Sequence, residues 1–373
     1  MRGPAVRPIV LAAGGTGGHF FPAEALAAAL LARGHRIALM TDARSAAATS
    51  ETFGGAERFV LRGAGLAGRG ARAAGAAVAL AVGVVQARRI LARLDAAAVV
   101  GFGGYPSVAP ALAAASLRRR RPPIVLHEQN AVLGRANRFL SRHADALALG
   151  FSGTFGVPAS RATVVVGNPV RPAIAALRGV GYAPPGEGVL HLLVLGGSLG
   201  ARILSDTVPA AVALLPPAVR ARLSIVQQAR AEDVARVRNA YVALGAQAEI
   251  APFFADVADR LAASHLVIAR AGASTVAELA VIGRPAILVP LPGAIDDHQT
   301  ANARALGRAG GAWPVPQAQF SPEMLAEQMA SLFADRDALP DAAAAAASVG
   351  MAEAAALLAD LVESRMQTAE RVR

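Results

Sequence analysis

The sequence predicts an α/β protein built from two doubly wound parallel sheets in tandem. Short β-branched runs alternate with longer Ala/Leu/Arg segments of helical period, the pattern of strand–helix–strand units. At 373 residues the chain suits two domains of roughly 100–200 residues each. The alternation breaks once, at Gly167-Asn168-Pro169-Val170-Arg171-Pro172, which reads as a linker, and then restarts.

In the first half, strands are expected at Ile9–Ala13, Arg36–Met40, Ala97–Gly101, Ile124–His127, Ala146–Leu149 and Thr163–Val166. Helices fill the gaps, most clearly Pro22–Arg33 and Arg69–Leu94. The second half places strands at Leu190–Leu195, Leu223–Gln227, Leu266–Ala269 and Ala286–Val289. The tail, Ala342–Met366, reads as one Ala-rich helix whose apolar face needs something to pack on. An internal echo links the halves. Ile9–Ala13 runs into Gly14-Gly15-Thr16-Gly17-Gly18-His19, and Leu190–Leu195 into Gly196-Gly197-Ser198-Leu199-Gly200-Ala201-Arg202. The expected domains are 1–168 and 169–340, with 341–373 packing back on the first. Two such units imply a cleft between them.

Composition removes whole classes of chemistry. With no Cys there are no disulfides, thiolate zinc sites, iron–sulfur clusters or Cys nucleophile. With no Lys, all 37 basic residues are Arg, so neither a Walker A lysine nor a Schiff-base lysine exists. The net charge of +11 invites a nucleic-acid reading, but its distribution argues otherwise. Residues 1–171 hold 21 Arg against 7 acids, net +14; residues 172–373 hold 16 against 19, net −3. The aromatic interleaving of single-strand binders is missing, so no nucleic acid is expected. A pyrophosphate ligand or an anionic membrane surface fits a basic half equally well. No secretory leader is apparent, because Ile9–Ala13 runs straight into a Gly-rich turn. Ala73–Ala87, flanked by Arg72, Arg88 and Arg89, would reach about 22 Å as a helix, short of a bilayer core of about 30 Å.

The chemistry gathers at strand ends. Four glycines in Gly14–Gly18 let backbone N–H groups approach an anion, helped by the positive end of the following helix. Phe20 stands where a dinucleotide fingerprint needs its third Gly, so that motif is absent. His19 falls at the helix start, where a neutral imidazole can accept a proton. A second loop, Gly101-Phe102-Gly103-Gly104-Tyr105-Pro106-Ser107, lies at the same sheet edge. His127-Glu128-Gln129-Asn130 offers hydrogen-bonding side chains of the kind sugar hydroxyls need, although a solvated loop remains open for Glu128 and Gln129. In the second half, Gly196–Arg202 and Arg270-Ala271-Gly272-Ala273-Ser274-Thr275 repeat the strand, small-residue turn and helix. Glu278 follows, placed to accept both ribose hydroxyls. Gln299 and Asn302 share one helical face, with Asp296 and Asp297 expected as caps. No metal is expected, because Asp335-Arg336-Asp337 alone has the Asp-x-Asp form and it reads as surface charge.

In this order the motifs closely resemble the MurG family, the UDP-N-acetylglucosamine–N-acetylmuramyl-(pentapeptide) pyrophosphoryl-undecaprenol N-acetylglucosamine transferases. The resemblance runs from Gly14 to about Ala312 through GGTGGH, GFGGYPS, HEQN, GNPVR, GGSLGAR, RAGASTVAE and DDHQTANA. It implies the GT-B glycosyltransferase fold and no cofactor. The implied reaction is inverting transfer of N-acetylglucosamine from UDP-N-acetylglucosamine to the 4-hydroxyl of the muramyl sugar of lipid I, giving lipid II. His19 is the implied base. Thr16, Gly17, Gly18, Asn130, Arg171, Ser198, Ala273, Ser274, Thr275, Glu278 and Gln299 match donor contacts. Phe254 stands where the family uses an apolar residue whose backbone reads uracil. Gly14, Gly15, Gly103, Gly104 and Tyr105 match the acceptor loops. His298 occupies a position where some members have another Gln.

The resemblance also implies a peripheral enzyme on the cytoplasmic face of the bacterial inner membrane, with other cell-wall synthesis proteins as further partners. Arg69–Leu94 could serve there, with Arg72, Arg88, Arg89 and Arg93 near headgroups and Val78, Leu80, Val82 and Val85 toward acyl chains. A core helix is the alternative. Two rival functions are a UDP-N-acetylglucosamine 2-epimerase, which has no use for Gly103–Tyr105, and a non-catalytic sugar-nucleotide-binding subunit, which has no use for His19.

Overall fold

The computed structural model describes residues 7–14, 17–43, 50–62, 71–118, 121–197 and 200–371, with the backbone alone described at Gly17 and at 71–73. Contacts divide the chain into two compact units, one running to Arg171 and including Glu353–Arg373, the other Pro172–Ala352. Each is a doubly wound sheet.

The first unit contains β1 (Ile9–Ala12), α1 (Gly17–Ala32), β2 (Ile37–Thr41), β3 (Glu57–Val60), α2 (Ala71–Leu94), β4 (Ala98–Gly101), α3 (Val108–Ala115), β5 (Ile124–Glu128), α4 (Arg135–Leu140), β6 (Ala146–Leu149) and β7 (Thr163–Val165). Its strands are all parallel in the order β3-β2-β1-β4-β5-β6-β7. Alternate residues of β1 serve opposite faces. Ile9 and Leu11 join Leu26 and Leu30 of α1, while Val10 joins Ala87 and Leu91 of α2. Each fully buried Leu or Ile contributes about 1.5–3 kcal/mol relative to exposure.

The second unit holds α5 (Pro172–Ala175), β8 (Leu190–Leu195), α6 (Arg202–Leu214), α7 (Pro217–Arg220), β9 (Leu223–Gln228), α8 (Val234–Ala243), β10 (Gln247–Ala251), α9 (Val257–Ala263), β11 (Leu266–Ala269), α10 (Ala273–Ile282), β12 (Ala286–Leu288), α11 (His298–Arg308), β13 (Ala312–Pro314), α12 (Pro322–Ala334) and α13 (Ala338–Ser348). The sheet runs β10-β9-β8-β11-β12-β13, again parallel. In both units the order reverses beside the first strand, so the loops after β1 and β4, and after β8 and β11, flank a switch point where ligands of open α/β sheets bind. Buried Arg284 ties two helix ends together. Its guanidinium donates to the Leu261 and Ala262 carbonyls in the last turn of α9, and to Ile282 and Gly283 at the end of α10. A cation suits helix C-termini, where carbonyls are left without partners.

The tail differs from the single helix expected over Ala342–Met366. It breaks at Gly350, where an added Cβ would lie 2.3 Å from the Ala280 carbonyl oxygen, so the chain crosses α10 too closely for a helix to continue. Before the break α13 packs on α10 in the second unit; after it α14 (Ala354–Arg371) packs on α1 in the first. Arg33 then pairs with Asp360 and Glu363 at 2.7 Å each. The helix expected from Pro22 begins earlier, at Gly17, with Pro22 inside it.

The helix expected at Arg69–Leu94 is longer in its apolar part than Ala73–Ala87. Ala74–Leu94 is long and apolar enough to cross a membrane by length and composition. In the fold it is the crossover between parallel β3 and β4, packed along α3. Val78 and Val85 are exposed, but Leu80 packs against the core and Val82 is half-buried. Arg88 donates to Ser116 at the end of α3, and Arg93 lies over the Phe59 ring. The Arg72 side chain lies outside the described residues. Asp335, Arg336 and Asp337 are exposed, as expected of surface charge, and Asp335 Oδ1 accepts from Asp337 N and Ala338 N at the start of α13.

Candidate active site

At the first unit's switch point, α1 begins directly above the strands. Gly18 in its first turn is exposed, and a Cβ built there would meet no side chain or loop within 4 Å among the described residues, a terminus suited to an anion. His19 is the next residue, half-buried. Its ring lies against the loop after β4. A Cβ added at Gly104 would stand 3.4 Å from His19 Nε2, and one at Gly103 3.7 Å from Cε1. Both glycines have positive φ, 78° and 63°, which a side chain would strain. Ser107 pins this loop by donating to the Ala12 and Gly103 carbonyls. The Tyr105 hydroxyl donates to Asp42, whose Oδ1 lies 2.9 Å from a Cβ built on Gly14. The phenol of Tyr105 is therefore engaged with the protein. Gly15 and Thr16 lie outside the described residues.

The loop after β5 is not solvated. Glu128 is buried and accepts four hydrogen bonds: Oε1 from Asn130 N (3.0 Å) and Nδ2 (3.1 Å), Oε2 from Gly134 N (3.0 Å) and Asn137 Nδ2 (2.9 Å). That carboxylate orients Asn130 at the sheet edge. Gln129 is buried too and bridges two histidines, 2.9 Å from its Oε1 to His19 Nδ1 and 3.0 Å from its Nε2 to His127 Nδ1. His127 Nε2 in turn donates to the Gly167 carbonyl at 2.9 Å. Burial holds the His127 imidazole down to about 4, against the opposing pull of the Gly167 carbonyl and Glu128. At the end of the unit, the Arg171 guanidinium sits 5.5 Å from the Phe21 ring centroid.

The second unit repeats the design. Gln228 braces the loop after β8, accepting from Gly196 N and donating to the Gly197 and Pro252 carbonyls. Ser198 falls outside the described residues. Arg230 lies across this loop, its Cγ 2.7 Å from a Cβ built on Gly200, and its Nε is buried without a partner among the described residues. Arg270 is tied to the Val289 and Pro290 carbonyls and to Gln317, and burial together with the nearby Arg230 charge lowers its pKa. Gly272 caps α10 with extended backbone and no side-chain bond, and Ala273, Ser274 and Thr275 form the first turn. The Ser274 hydroxyl is buried without a partner among the described residues. Glu278 is the sixth residue of the helix and buried.

Gln299 is held by the loop before it, accepting from Leu291 N at 3.0 Å. Asn302, expected to share its face toward the ligand, is fully buried and donates to the Ala271 carbonyl, so it fixes α11 against the α10 turn. Asp297 stands at the α11 N-cap but accepts from the Thr300 hydroxyl, not from a backbone N–H. The Phe254 ring is buried with Arg260 4.3 Å above its centroid, while Phe253 beside it is 74% exposed. The first unit gathers His19, Gly17, Gly18, Gly103, Gly104 and Asn130, and the second gathers Ala273, Ser274, Thr275 and Glu278. Sequence reasoning reached His127 and Gln129 only as members of a polar motif, without their bonds to His19 and Gly167, and missed Gln228 and Arg230. The signal was position: each stands at or just past the C-terminal end of a central strand.

Family models match both halves. Residues 9–149 match the glycosyltransferase family 28 N-terminal domain and residues 191–358 its C-terminal domain. The UDP-N-acetylglucosamine–N-acetylmuramyl-(pentapeptide) pyrophosphoryl-undecaprenol N-acetylglucosamine transferase of Granulibacter bethesdensis is 63% identical over 370 residues, 99% of this chain and 96% of that one. Among solved structures, MurG of Acinetobacter baumannii superimposes with a TM-score of 0.77 at 31% identity, covering 96% of this chain and 99% of that one. A UDP-N-acetylglucosamine 2-epimerase of Listeria monocytogenes reaches 0.65 at 17% identity over 98% of each chain, a likeness of fold alone.

Proposed function

Because the chain belongs to the MurG family within glycosyltransferase family 28, we infer that it transfers N-acetylglucosamine from UDP-N-acetylglucosamine to lipid I, forming lipid II in peptidoglycan synthesis. The full-length match at 63% identity carries this reading. The transfer inverts the anomeric centre. The muramyl 4-hydroxyl oxygen attacks C1 of the donor sugar and gives its proton to His19 Nε2. The bond from C1 to the UDP β-phosphate oxygen breaks, and UDP leaves with the electron pair. Proton removal by a positioned base contributes about 10²–10⁴-fold.

Each unit supplies one half of this chemistry. The first brings the base, the α1 terminus and the Gly103–Gly104 loop to the acceptor, with Asn130 and Arg171 directed to the donor. The second binds UDP: Phe254 main chain to uracil, Glu278 to ribose, and the loop after β8 with the α10 terminus to the diphosphate. Gln299 contacts the sugar. Support for the diphosphate site comes from the Ser274 hydroxyl, unpartnered among the described residues, and from Arg230, whose buried Nε lies over the glycine loop. Preorganised donors of this kind stabilise the charge that develops on the leaving group.

The enzyme works peripherally at the cytoplasmic face of the bacterial inner membrane. The exposed stripe of α2, Ala74, Val78, Ala81 and Val85, leads into exposed Arg88 and Arg89 and suits an anionic bilayer surface. Vesicle flotation of an Arg88→Glu, Arg89→Glu variant tests this part; unchanged binding would remove α2 from the account.

The reaction is tested by UDP release from UDP-N-acetylglucosamine with and without a short-chain lipid I analogue, in EDTA. Acceptor-dependent release with a disaccharide–lipid product is expected. Conversion at the sugar C2 without acceptor would instead indicate the epimerase, and binding without turnover a recruiting subunit.

A further inference from the structure

We propose that Gln129, held by His127 and the Gly167 carbonyl, fixes His19 as the tautomer with its proton on Nδ1, leaving the Nε2 lone pair for the acceptor hydroxyl. The proposal deepens the reading of His19 as base and rests on it for its catalytic meaning. The tautomer itself does not depend on that reading.

The argument starts at the end of the chain of bonds furthest from His19. A backbone carbonyl can only accept, so at 2.9 Å from Gly167 O the His127 Nε2 must carry a proton. His127 is buried and neutral, so its Nδ1 has no proton and can only accept. The Gln129 atom 3.0 Å from that Nδ1 must therefore be the amide nitrogen. A second carbonyl gives the same answer independently: the same Gln129 atom lies 3.1 Å from His127 O, which also needs a donor. Amide orientation is normally assigned from its surroundings, and here two carbonyls leave one choice. Reversing the amide would set an oxygen against His127 O and against an imidazole lone pair.

The consequence reaches His19. The Gln129 atom facing it is the amide oxygen, an acceptor, so His19 Nδ1 at 2.9 Å must be the donor. A neutral imidazole with its proton on Nδ1 keeps its lone pair on Nε2, the nitrogen that faces Gly104 in the acceptor loop. A free imidazole prefers the opposite tautomer, which would present a proton to the hydroxyl it should deprotonate. Gln129 is thus a positioning residue, and Gly167, in the segment leading to Arg171, is its anchor.

Nitrogen-15 NMR of histidine-labelled protein reads the tautomer directly, with the His19 signals identified by their loss in His19→Gln. In the native protein His19 is expected with a protonated Nδ1 and a bare Nε2. Gln129→Met, similar in shape but unable to bond, should shift His19 toward the Nε2–H form. It should also lower kcat by about tenfold, a fraction of what a general base supplies, with KM little changed. Gln129→Glu, with its carboxyl protonated on the oxygen that faces the His127 acceptors, keeps an acceptor at His19 Nδ1 and should restore the Nδ1–H signature even if Gln129→Met packs poorly. A native His19 with its proton on Nε2, or a tautomer unchanged in Gln129→Met, would overturn the proposal. A tautomer that shifts while His19→Ala retains full kcat would instead spare it and remove His19 as the base.

Discussion

Replacing Glu128 by Gln tests how the donor-side loop is built. The carboxylate accepts two N–H groups on each oxygen, from Asn130 on one and from Gly134 and Asn137 on the other. A glutamine amide keeps one acceptor and turns an NH₂ group toward two donors, whichever way it is placed. The cheaper orientation faces Asn130, which is half-buried and can turn to water, whereas Asn137 is buried. Two charge-assisted bonds are lost there, at about 1.5–3 kcal/mol each before relaxation, so a net loss of about 2–4 kcal/mol is expected. Because Trp313, the one tryptophan, lies in the second unit, its fluorescence serves as an internal control. Native-state amide exchange across β5 should speed up by the corresponding factor while the Trp313 urea midpoint holds. KM for UDP-N-acetylglucosamine should rise as Asn130 loosens. A β5 change below about 0.5 kcal/mol, within the range of ordinary surface substitutions, would refute the reasoning.

Three further outcomes follow from particular contacts. The His127 pKa of about 4 lies below the roughly 6.5 of an unfolded imidazole, so the unfolded chain binds that proton more tightly. Stability should thus be complete above about pH 6.5 and fall toward pH 4 by on the order of 3 kcal/mol, and a His127→Gln variant should show a flatter dependence in acid melts. Gly104→Ala puts a Cβ against His19 Nε2 in a backbone conformation suited to glycine; kcat should drop about tenfold or more, and an unchanged kcat would argue that Nε2 is not the reacting atom. Arg284→Met removes the guanidinium from four carbonyls at two helix ends. It should cost the second unit about 3 kcal/mol, or roughly 6–12 °C in a melt followed by Trp313 fluorescence.

What the sequence made legible follows the depth of each residue in the fold. Central strands such as Ile9–Ala12 and Leu266–Ala269 are buried on both faces and read as continuous apolar runs, and the small-residue turns after them mark both switch points. The strands that sequence reading missed, β3, β10 and β13, are all sheet edges. Glu57-Arg58-Phe59-Val60 and Gln247-Ala248-Glu249-Ile250-Ala251 carry polar, exposed positions that blur the strand pattern, and β13 has three residues ending in a proline. The tail misled because its alanines favour helix throughout, whereas the break at Gly350 is set by the Ala280 backbone, distant in sequence. Gln129 and Glu128 misled for a related reason. Their polarity suggests solvent, but their partners, His19 for Gln129 and Asn137 for Glu128, are brought to them only by the fold. The partners of Arg88 and Arg93, Ser116 and Phe59, are likewise brought to α2 only by the fold.

The measurement that bears most directly on the account is kcat of His19→Ala at saturating UDP-N-acetylglucosamine and lipid I analogue, beside the native enzyme. A base at Nε2 predicts a fall of about 10²–10⁴-fold with both KM values little moved. A fall of less than about tenfold would contradict the assignment of the proton to His19.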